Sequence, residues 1–193
     1  GVLFTRRQLR SNDPLLDFGV FRNRAFSAGI ITAATAMFAI GGIQLVTTQR
    51  FQLVDGFTPL QAGLLVAAVA IGALPTGILG GAFLHRLGLR IIISGGFTLA
   101  TIGMIITLIG VQTAFPVFVA GLAVTGAGLG ATMSVASTAI VGNVPPRKAG
   151  MAASVEEVSY EFGSLLAVAI LGSLLSALYT LGIALPEGER TPE

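Results

Sequence analysis

The chain has 193 residues, of which 53% are hydrophobic and only 10% are charged, and its mean hydropathy is +0.87. A soluble globular domain carries roughly 25% charged residues, so this composition excludes a soluble protein and places much of the chain in lipid. The absence of cysteine excludes disulfides and thiolate chemistry, and the single His85 excludes a multi-histidine metal site. The net charge of +2 does not indicate a nucleic-acid partner.

Stretches without charge mark the candidate membrane spans, because a spanning helix needs about 20 mostly apolar residues. The stretch between Arg90 and Arg147 is long enough for two spans, divided by a turn at 112–116. Strands are not expected, since barrel strands alternate in polarity over about ten residues. We therefore predict an all-α integral membrane protein with five helices, at about 25–48, 60–84, 91–111, 116–142 and 151–182.

Arginine and lysine are distributed unevenly between the two ends of these helices. Nine lie at one set of ends and two at the other, which is a positive-inside asymmetry. We expect the helix ends that carry nine basic residues to face the cytoplasm. The N-terminal segment 1–24 and the 85–90 and 143–150 loops would then be cytoplasmic. The 50–59 loop and the tail 183–193 then face outside. The nine are Arg6, Arg7, Arg10, Arg22, Arg24, Arg86, Arg90, Arg147 and Lys148, and the two are Arg50 and Arg190.

Small residues four positions apart predict close helix packing in lipid. Gly77 and Gly81 have this spacing, as do Gly126 and Gly130. The second pair lies in a glycine-rich run that partly resembles a nucleotide-binding loop. That run lacks the full spacing, and no soluble βαβ pattern surrounds it. Helix packing is therefore the interpretation we keep.

The acidic segment 154–161 is the candidate site for chemistry. On a helix, Glu157 and Glu161 lie one turn apart on one face, and Glu156 and Tyr160 form the same pairing one position round. An acidic patch attracts a cation, and a tyrosine ring offers it a face. A carboxylate kept from bulk water also holds its proton more readily, so it can exchange a proton for a cation. Because Glu156 points about 100° away from Glu157, we expect it to matter less.

A capping interpretation of the same segment remains open. Ser154 and Glu157 have the spacing of a capping box, and acidic residues favour a helix N-terminus. Residues 162–182 are long enough to span a membrane alone, which would leave the glutamates among the lipid headgroups. Against this, Glu161 lies roughly 20 Å along a continuous helix from Arg147, and carboxylates within a membrane are functional candidates. The depth of Glu161 therefore discriminates between the two interpretations.

Four segments carry a resemblance to a known family. Gly150–Gly163 resembles the thirteenth helix of the fourteen-span drug:proton antiporters of the Major Facilitator Superfamily, of the quaternary-ammonium and methyl-viologen efflux type. Leu15–Phe26 resembles the segment that enters the ninth helix, and Gln49–Gly63 resembles the external loop that follows. Gly81–Arg90 resembles the cytoplasmic loop motif of the superfamily. The resemblance implies a C-terminal fragment of a major facilitator fold, with the remainder of the transporter outside this chain.

The resemblance also implies a function for the acidic segment. Glu156, Glu157 and Glu161 match acidic positions that this family uses for cationic-drug recognition and proton coupling. The parent protein would export lipophilic or cationic compounds across the bacterial plasma membrane. The proton gradient would drive it without a cofactor. The implied partners are the lipid bilayer, cationic or lipophilic small molecules, protons and the missing remainder of the transporter.

The loop motif is represented by Gly81, His85, Arg86, Gly88 and Arg90. It departs from the family at His85, where an acidic residue is usual, and we expect His85 to be a solvated loop residue. The retained arginines fit either a gating role or positive-inside anchoring. The two glycines are expected to matter for backbone geometry and close packing.

Two other functions remain as alternatives. A superfamily member that carries another small solute would also couple transport through carboxylates. A non-transporting membrane scaffold would have no reason to place carboxylates within a span. Enzyme chemistry is not expected, because the chain shows no metal-ligand cluster and its one histidine lies in a predicted loop. Candidates for lining a drug cavity, with ordinary packing as the alternative, are Met37, Phe38, Phe97, Met104 and Met133.

Overall fold

A computed structural model describes residues 18–182, with side chains described from residue 19 to residue 178. The predicted cytoplasmic residues Arg6, Arg7 and Arg10 and the predicted external tail 183–193 lie outside this range. Short 3-10 turns occur at Phe18–Arg22 and Pro146–Lys148. The long helices are α1 (Arg24–Leu53), α2 (Pro59–Leu87), α3 (Leu89–Gln112), α4 (Phe115–Val141) and α5 (Ala149–Gly182).

Five helices are long and apolar enough to cross a membrane within the described part of the chain, which contains no strand. The prediction of an all-α membrane protein with five spans is therefore confirmed. Helices α1, α2, α3 and α5 are longer than predicted. Helix α1 continues through Arg50 to Leu53, and α2 continues through Arg86 to Leu87. Arginines at helix ends keep their charged heads in water while their stems lie along the apolar surface.

Helix α4 is the centre of the bundle. It packs extensively against α1, α2 and α3, whereas α5 packs mainly against α1. Of the residues in the apolar stretch of α4, 44% are buried inside the bundle, compared with 11% for the corresponding stretch of α5. Most of the α5 surface is therefore uncovered by the other four helices.

Helices α3 and α4 meet along a seam of small residues. Gly96, Gly103 and Gly110 recur every seven residues on α3 and are buried. A Cβ atom on Gly103 would overlap Thr125, and one on Gly110 would overlap the backbone of Phe118. The Thr125 hydroxyl donates to a carbonyl one turn earlier in α4 at 2.8 Å, so its burial leaves no unsatisfied donor. The seam brings the two backbones into direct contact, as expected for helices that associate in lipid.

Helices α2 and α4 also approach through glycine. Cβ atoms on Gly126 and Gly130 would overlap carbonyl oxygens of α2, which confirms close packing at this predicted pair. On α2 one member of the predicted pair makes this approach, since a Cβ atom on Gly77 would lie 3.6 Å from the Gly130 carbonyl oxygen. Gly80 is buried against the backbone of Ala131, whereas Gly81 is exposed and approaches only a serine side chain of α4.

Candidate functional site

The acidic segment lies inside α5. The helix begins at Ala149, directly after the 3-10 turn at Pro146–Lys148. Ser154 is therefore in the second turn, where its hydroxyl donates to the Gly150 carbonyl at 3.0 Å. A serine that bonds back one turn is a helix-interior residue. The capping-box interpretation of Ser154 and Glu157 is wrong, because the helix starts five residues before Ser154.

One stripe of α5 is buried. Successive members are three or four positions apart, which is the spacing of one helix face. Gly163, in the middle, packs against the Ala34 carbonyl of α1 so closely that a Cβ atom would overlap it. Glu156 belongs to this stripe and is only 8% exposed. The stripe consists of Ala152, Glu156, Ser159, Gly163 and Ala167.

Glu156 forms a hydrogen bond within this contact. The Tyr160 hydroxyl, one turn further along α5, donates to Glu156 Oε1 at 2.6 Å. Tyr160 is partly buried against an apolar cluster formed by α1, α4 and α5, which includes Phe26, Ile140 and Ala152. The pairing of Glu156 with Tyr160 follows from their one-turn spacing. The bond through the hydroxyl, rather than a ring face offered to a cation, was not predicted.

Glu157 and Glu161 lie on the other side of α5. Both are exposed, one turn apart on the face that none of the other four helices covers. The structure thus separates the three glutamates into an exposed pair and a buried, hydrogen-bonded Glu156. Helix geometry fixes the angle between Glu156 and the exposed pair. Packing against α1 determines which of them is buried.

The packing of α5 on α1 gives the depth of Glu161, the member of the exposed pair that lies further along α5. Gly163 meets Ala34, and further along Ala167 meets Gly41, so the two helices run parallel. Ala34 is ten residues, or about 15 Å, beyond Arg24, the last charge before the apolar part of α1. By the same measure, Glu161 lies about 12 Å beyond the level of Arg24. This places its backbone beside apolar α1 rather than beside the charged helix end.

The predicted loop at 85–90 is almost entirely helical. His85 and Arg86 lie in the last turn of α2, and Arg90 lies in the first turn of α3. Gly88 alone connects the two helices, with φ of 78° and ψ of 157°. Only glycine adopts this combination readily. The expectation that His85 is a loop residue is therefore wrong, because one glycine suffices for the turn.

The other side chains of the loop motif point away from the bundle. His85, Arg86 and Arg90 are all exposed. This arrangement suits anchoring at a membrane surface, where arginine stems lie along the helix and the charged groups reach water. Among residues 18–182, no three histidine, cysteine or acidic side chains are placed to hold a metal ion.

An apolar cavity of about 410 Å³ lies apart from the glutamates. It opens between α1, α3, α4 and α5, with Arg50 at the end near the α1–α2 connection, and Phe38 and Met104 contribute to its walls. Two other candidates for a drug cavity, Phe97 and Met133, pack instead against a buried cluster around Leu129. None of the three glutamates lines this cavity, so the structure does not join the carboxylates and the apolar pocket into one site.

Residues 25–184 match the Major Facilitator Superfamily. The chain belongs to this superfamily. The membership agrees with the five apolar helices of a multi-pass membrane protein.

Curated relatives within the superfamily include three drug-resistance proteins. The methyl viologen resistance protein SmvA of Salmonella typhimurium LT2 is 32% identical over 196 residues, which cover 99% of this chain and 39% of SmvA. The multidrug efflux pump LfrA of Mycolicibacterium smegmatis is 31% identical over 100% of this chain and 38% of its own length. The multidrug resistance protein Stp of Mycobacterium tuberculosis H37Rv is 30% identical over 91% of this chain and 33% of Stp. The chain spans less than two fifths of the length of these relatives.

Proposed function

We propose that this chain is part of a proton-coupled multidrug exporter of lipophilic or cationic compounds. The names of its relatives, which include a methyl viologen resistance protein and multidrug efflux pumps, support this substrate class. Because the chain covers 39% of SmvA, export is proposed for the whole transporter and not for these five helices alone. The function is transport rather than catalysis, with the proton gradient and no cofactor as its energy source.

The exposed pair Glu157 and Glu161 carries the proposal. A charged side chain at the centre of a bilayer costs about 2.5–3.5 kcal/mol even on insertion scales. An exposed carboxylate that begins about 12 Å beyond the level of Arg24 therefore requires water or protein, rather than lipid tails, against its face of α5. In secondary transporters, substrate sites lie between repeats near the middle of the membrane. We assign this face of α5 to such a site.

Within this site, export follows from competition between protons and a cation. Two carboxylates one turn apart repel each other when both are ionised, so protonation of one is favoured while the site is empty. A bound cation favours the ionised pair instead and displaces the proton. Proton uptake from outside then releases the cation. The site needs only the two carboxylates and a path to each side of the membrane.

Orientation and location belong to the same proposal. The positive-inside asymmetry supports a cytoplasmic start of α1 and an external end of α5 in a bacterial plasma membrane. Glu157 and Glu161 then lie in the cytoplasmic half of α5, where a substrate entering from the cytoplasm or the inner leaflet would reach them first. Arg86 and Arg90 anchor the α2–α3 connection at the cytoplasmic surface.

The proposal is tested in the full-length transporter at matched expression. Glu161→Gln removes one charge of the pair while keeping the size of the side chain. We expect efflux of dications such as methyl viologen to fall about tenfold or more, corresponding to about 1.4 kcal/mol of lost attraction, and efflux of monocations to fall less. Drug-induced proton release from the purified protein should decrease in parallel.

Asp55→Asn is the matched control, because Asp55 is an exposed carboxylate on the α1–α2 connection, beyond the end of α1 that lies near the later part of α5 rather than near the exposed pair. It should leave both efflux and proton release unchanged. Unchanged efflux and proton release in Glu161→Gln would refute the exposed pair as the exchange site.

A further inference from the structure

Basic residues from two distant parts of the chain meet at one corner of the bundle, where α1 and α5 begin. Asn23 caps the start of α1, and its Nδ2 donates to the Asn143 carbonyl oxygen of the α4–α5 connection at 3.5 Å. Beneath this hydrogen bond, Val20 and Val144 pack against a buried cluster that includes Phe26. These contacts hold together two segments that are 120 residues apart in the sequence. We call this region the basic corner, after its residues Arg22, Arg24, Arg147 and Lys148.

The charge of the basic corner is not offset within the two helices that begin there. Its three arginines are exposed, and neither α1 nor α5 has an acidic residue in its first turn. Within residues 18–182, the nearest carboxylate along either segment is that of Glu156, about 12 Å beyond Lys148 along α5. This carboxylate is buried and accepts the Tyr160 hydroxyl. Because cations are unfavourable at the positively polarised start of a helix, the corner favours an anion from outside the bundle.

We propose that the basic corner binds the phosphate group of an anionic phospholipid. Clusters of basic residues at the point where helices leave the membrane attract anionic headgroups, and arginine binds phosphate oxygens through paired hydrogen bonds. The surface of α5 next to the corner is apolar, which favours a phospholipid over a soluble phosphate. Val158 and Phe162 lie one turn apart on α5, are 67% and 58% exposed, and begin about 15 Å beyond Lys148. Each follows a glutamate of the exposed pair by one position and so points about 100° away from it. The acyl chains lie against this apolar face.

A phosphate bound at the basic corner bridges two helices. Arg24 is the first residue of α1, and Arg147 belongs to the 3-10 turn that leads into α5. One headgroup that contacts both side chains therefore ties the start of α1 to the start of α5. The same two helices meet further along, where Gly163 packs against Ala34. The lipid thus stabilises the position of α5, whose apolar stretch is the least buried of the five.

Lipid binding to the purified full-length transporter tests the inference. The protein in detergent is titrated with phosphatidylglycerol or with phosphatidylcholine, and native mass spectrometry counts the bound lipids. We expect the wild type to bind phosphatidylglycerol, which carries a net negative charge, about tenfold or more tightly than the zwitterionic phosphatidylcholine. The double variant Arg24→Gln, Arg147→Gln should bind phosphatidylglycerol about 25-fold more weakly, at about fivefold for each cation removed. The double variant Arg24→Lys, Arg147→Lys keeps both charges and should retain most of the affinity.

The matched control is the double variant Arg86→Gln, Arg90→Gln, which removes two exposed arginines from the ends of α2 and α3 and changes the net charge equally. It should leave the affinity for phosphatidylglycerol nearly unchanged. An equal loss in both glutamine variants would show a general attraction to positive charge and would overturn the site, as would unchanged affinity in Arg24→Gln, Arg147→Gln. Displacement of the lipid by an equal concentration of inorganic phosphate would overturn the assignment to a phospholipid. These measurements involve no drug or efflux, so their outcome is independent of the proposed function.

Discussion

Gly88 is the single residue that connects α2 and α3. A Cβ atom at this position would meet no other atom within 4 Å, so its requirement for glycine is purely conformational. A residue with a side chain in this region of φ and ψ costs about 1–3 kcal/mol. We expect Gly88→Ala to lower the free energy of unfolding by that amount and to reduce export through reduced folding. Thermal unfolding of the purified protein in detergent measures the effect.

His85→Ala is the control at the same end of the bundle. His85 is exposed in the last turn of α2, and alanine is a good helix former. Its substitution should leave both stability and export nearly unchanged. A larger loss in His85→Ala than in Gly88→Ala, at equal expression, would assign His85 a function that its position does not indicate.

The acidic segment shows what residue spacing predicts and what it leaves open. The pairings of Glu157 with Glu161 and of Glu156 with Tyr160 follow from the helical repeat. The helical repeat does not predict which pair faces the bundle. Helix α5 is apolar on nearly all sides and has no polar face that would determine its rotation. The small residues Ser159 and Gly163, which share the stripe of Glu156, indicate the packed side.

At the scale of helices, glycine positions determine how closely the bundle packs. The spacing of Gly126 and Gly130 revealed one contact, but the seam of Gly96, Gly103 and Gly110 was missed because its members are seven rather than four positions apart. A seven-residue repeat also keeps residues on one helix face. Helices α1 and α2 extend beyond their predicted ends, because a charged residue at a membrane surface does not terminate a helix. Arg50 and Arg86 instead lie within the terminal turns of α1 and α2.

Neighbouring glycines on α3 allow a direct test of the seam. A Cβ atom on Gly96 would overlap Thr132 and crowd the Gly128 carbonyl, whereas one on Gly95 would meet nothing within 4 Å. We expect Gly96→Ala to destabilise the protein by about 1–3 kcal/mol through overpacking. Gly95→Ala should be neutral or stabilising by up to about 1 kcal/mol, because alanine is the better helix former. Unfolding of the two variants in the same detergent compares them, and equal stabilities would show that α3 and α4 do not pack at this seam.

For the whole molecule, composition and charge-free stretches suffice to predict the membrane environment and the number of spans. They do not predict the order of packing, in which α4 is central and α5 lies mainly on α1. All five helices are apolar, and the central α4 is neither the longest nor the shortest, so length and apolar character do not distinguish a central helix from a peripheral one. The difference arises from glycines on two faces of α4, Gly121 and Gly128 toward α3 and Gly126 and Gly130 toward α2.

The orientation of the bundle in the membrane is the last prediction. The arginine asymmetry predicts that the α2–α3 connection lies in the cytoplasm and the α1–α2 connection outside. The chain has no cysteine, so a single introduced cysteine gives an unambiguous signal once any others in the full-length protein are removed. Asp55 and His85 are both exposed and lie near opposite ends of α2. In intact cells, an impermeant thiol reagent should label Asp55→Cys, and it should label His85→Cys only after permeabilisation. Labelling of His85→Cys but not of Asp55→Cys in intact cells would invert the bundle and move Glu157 and Glu161 to the external half of the membrane.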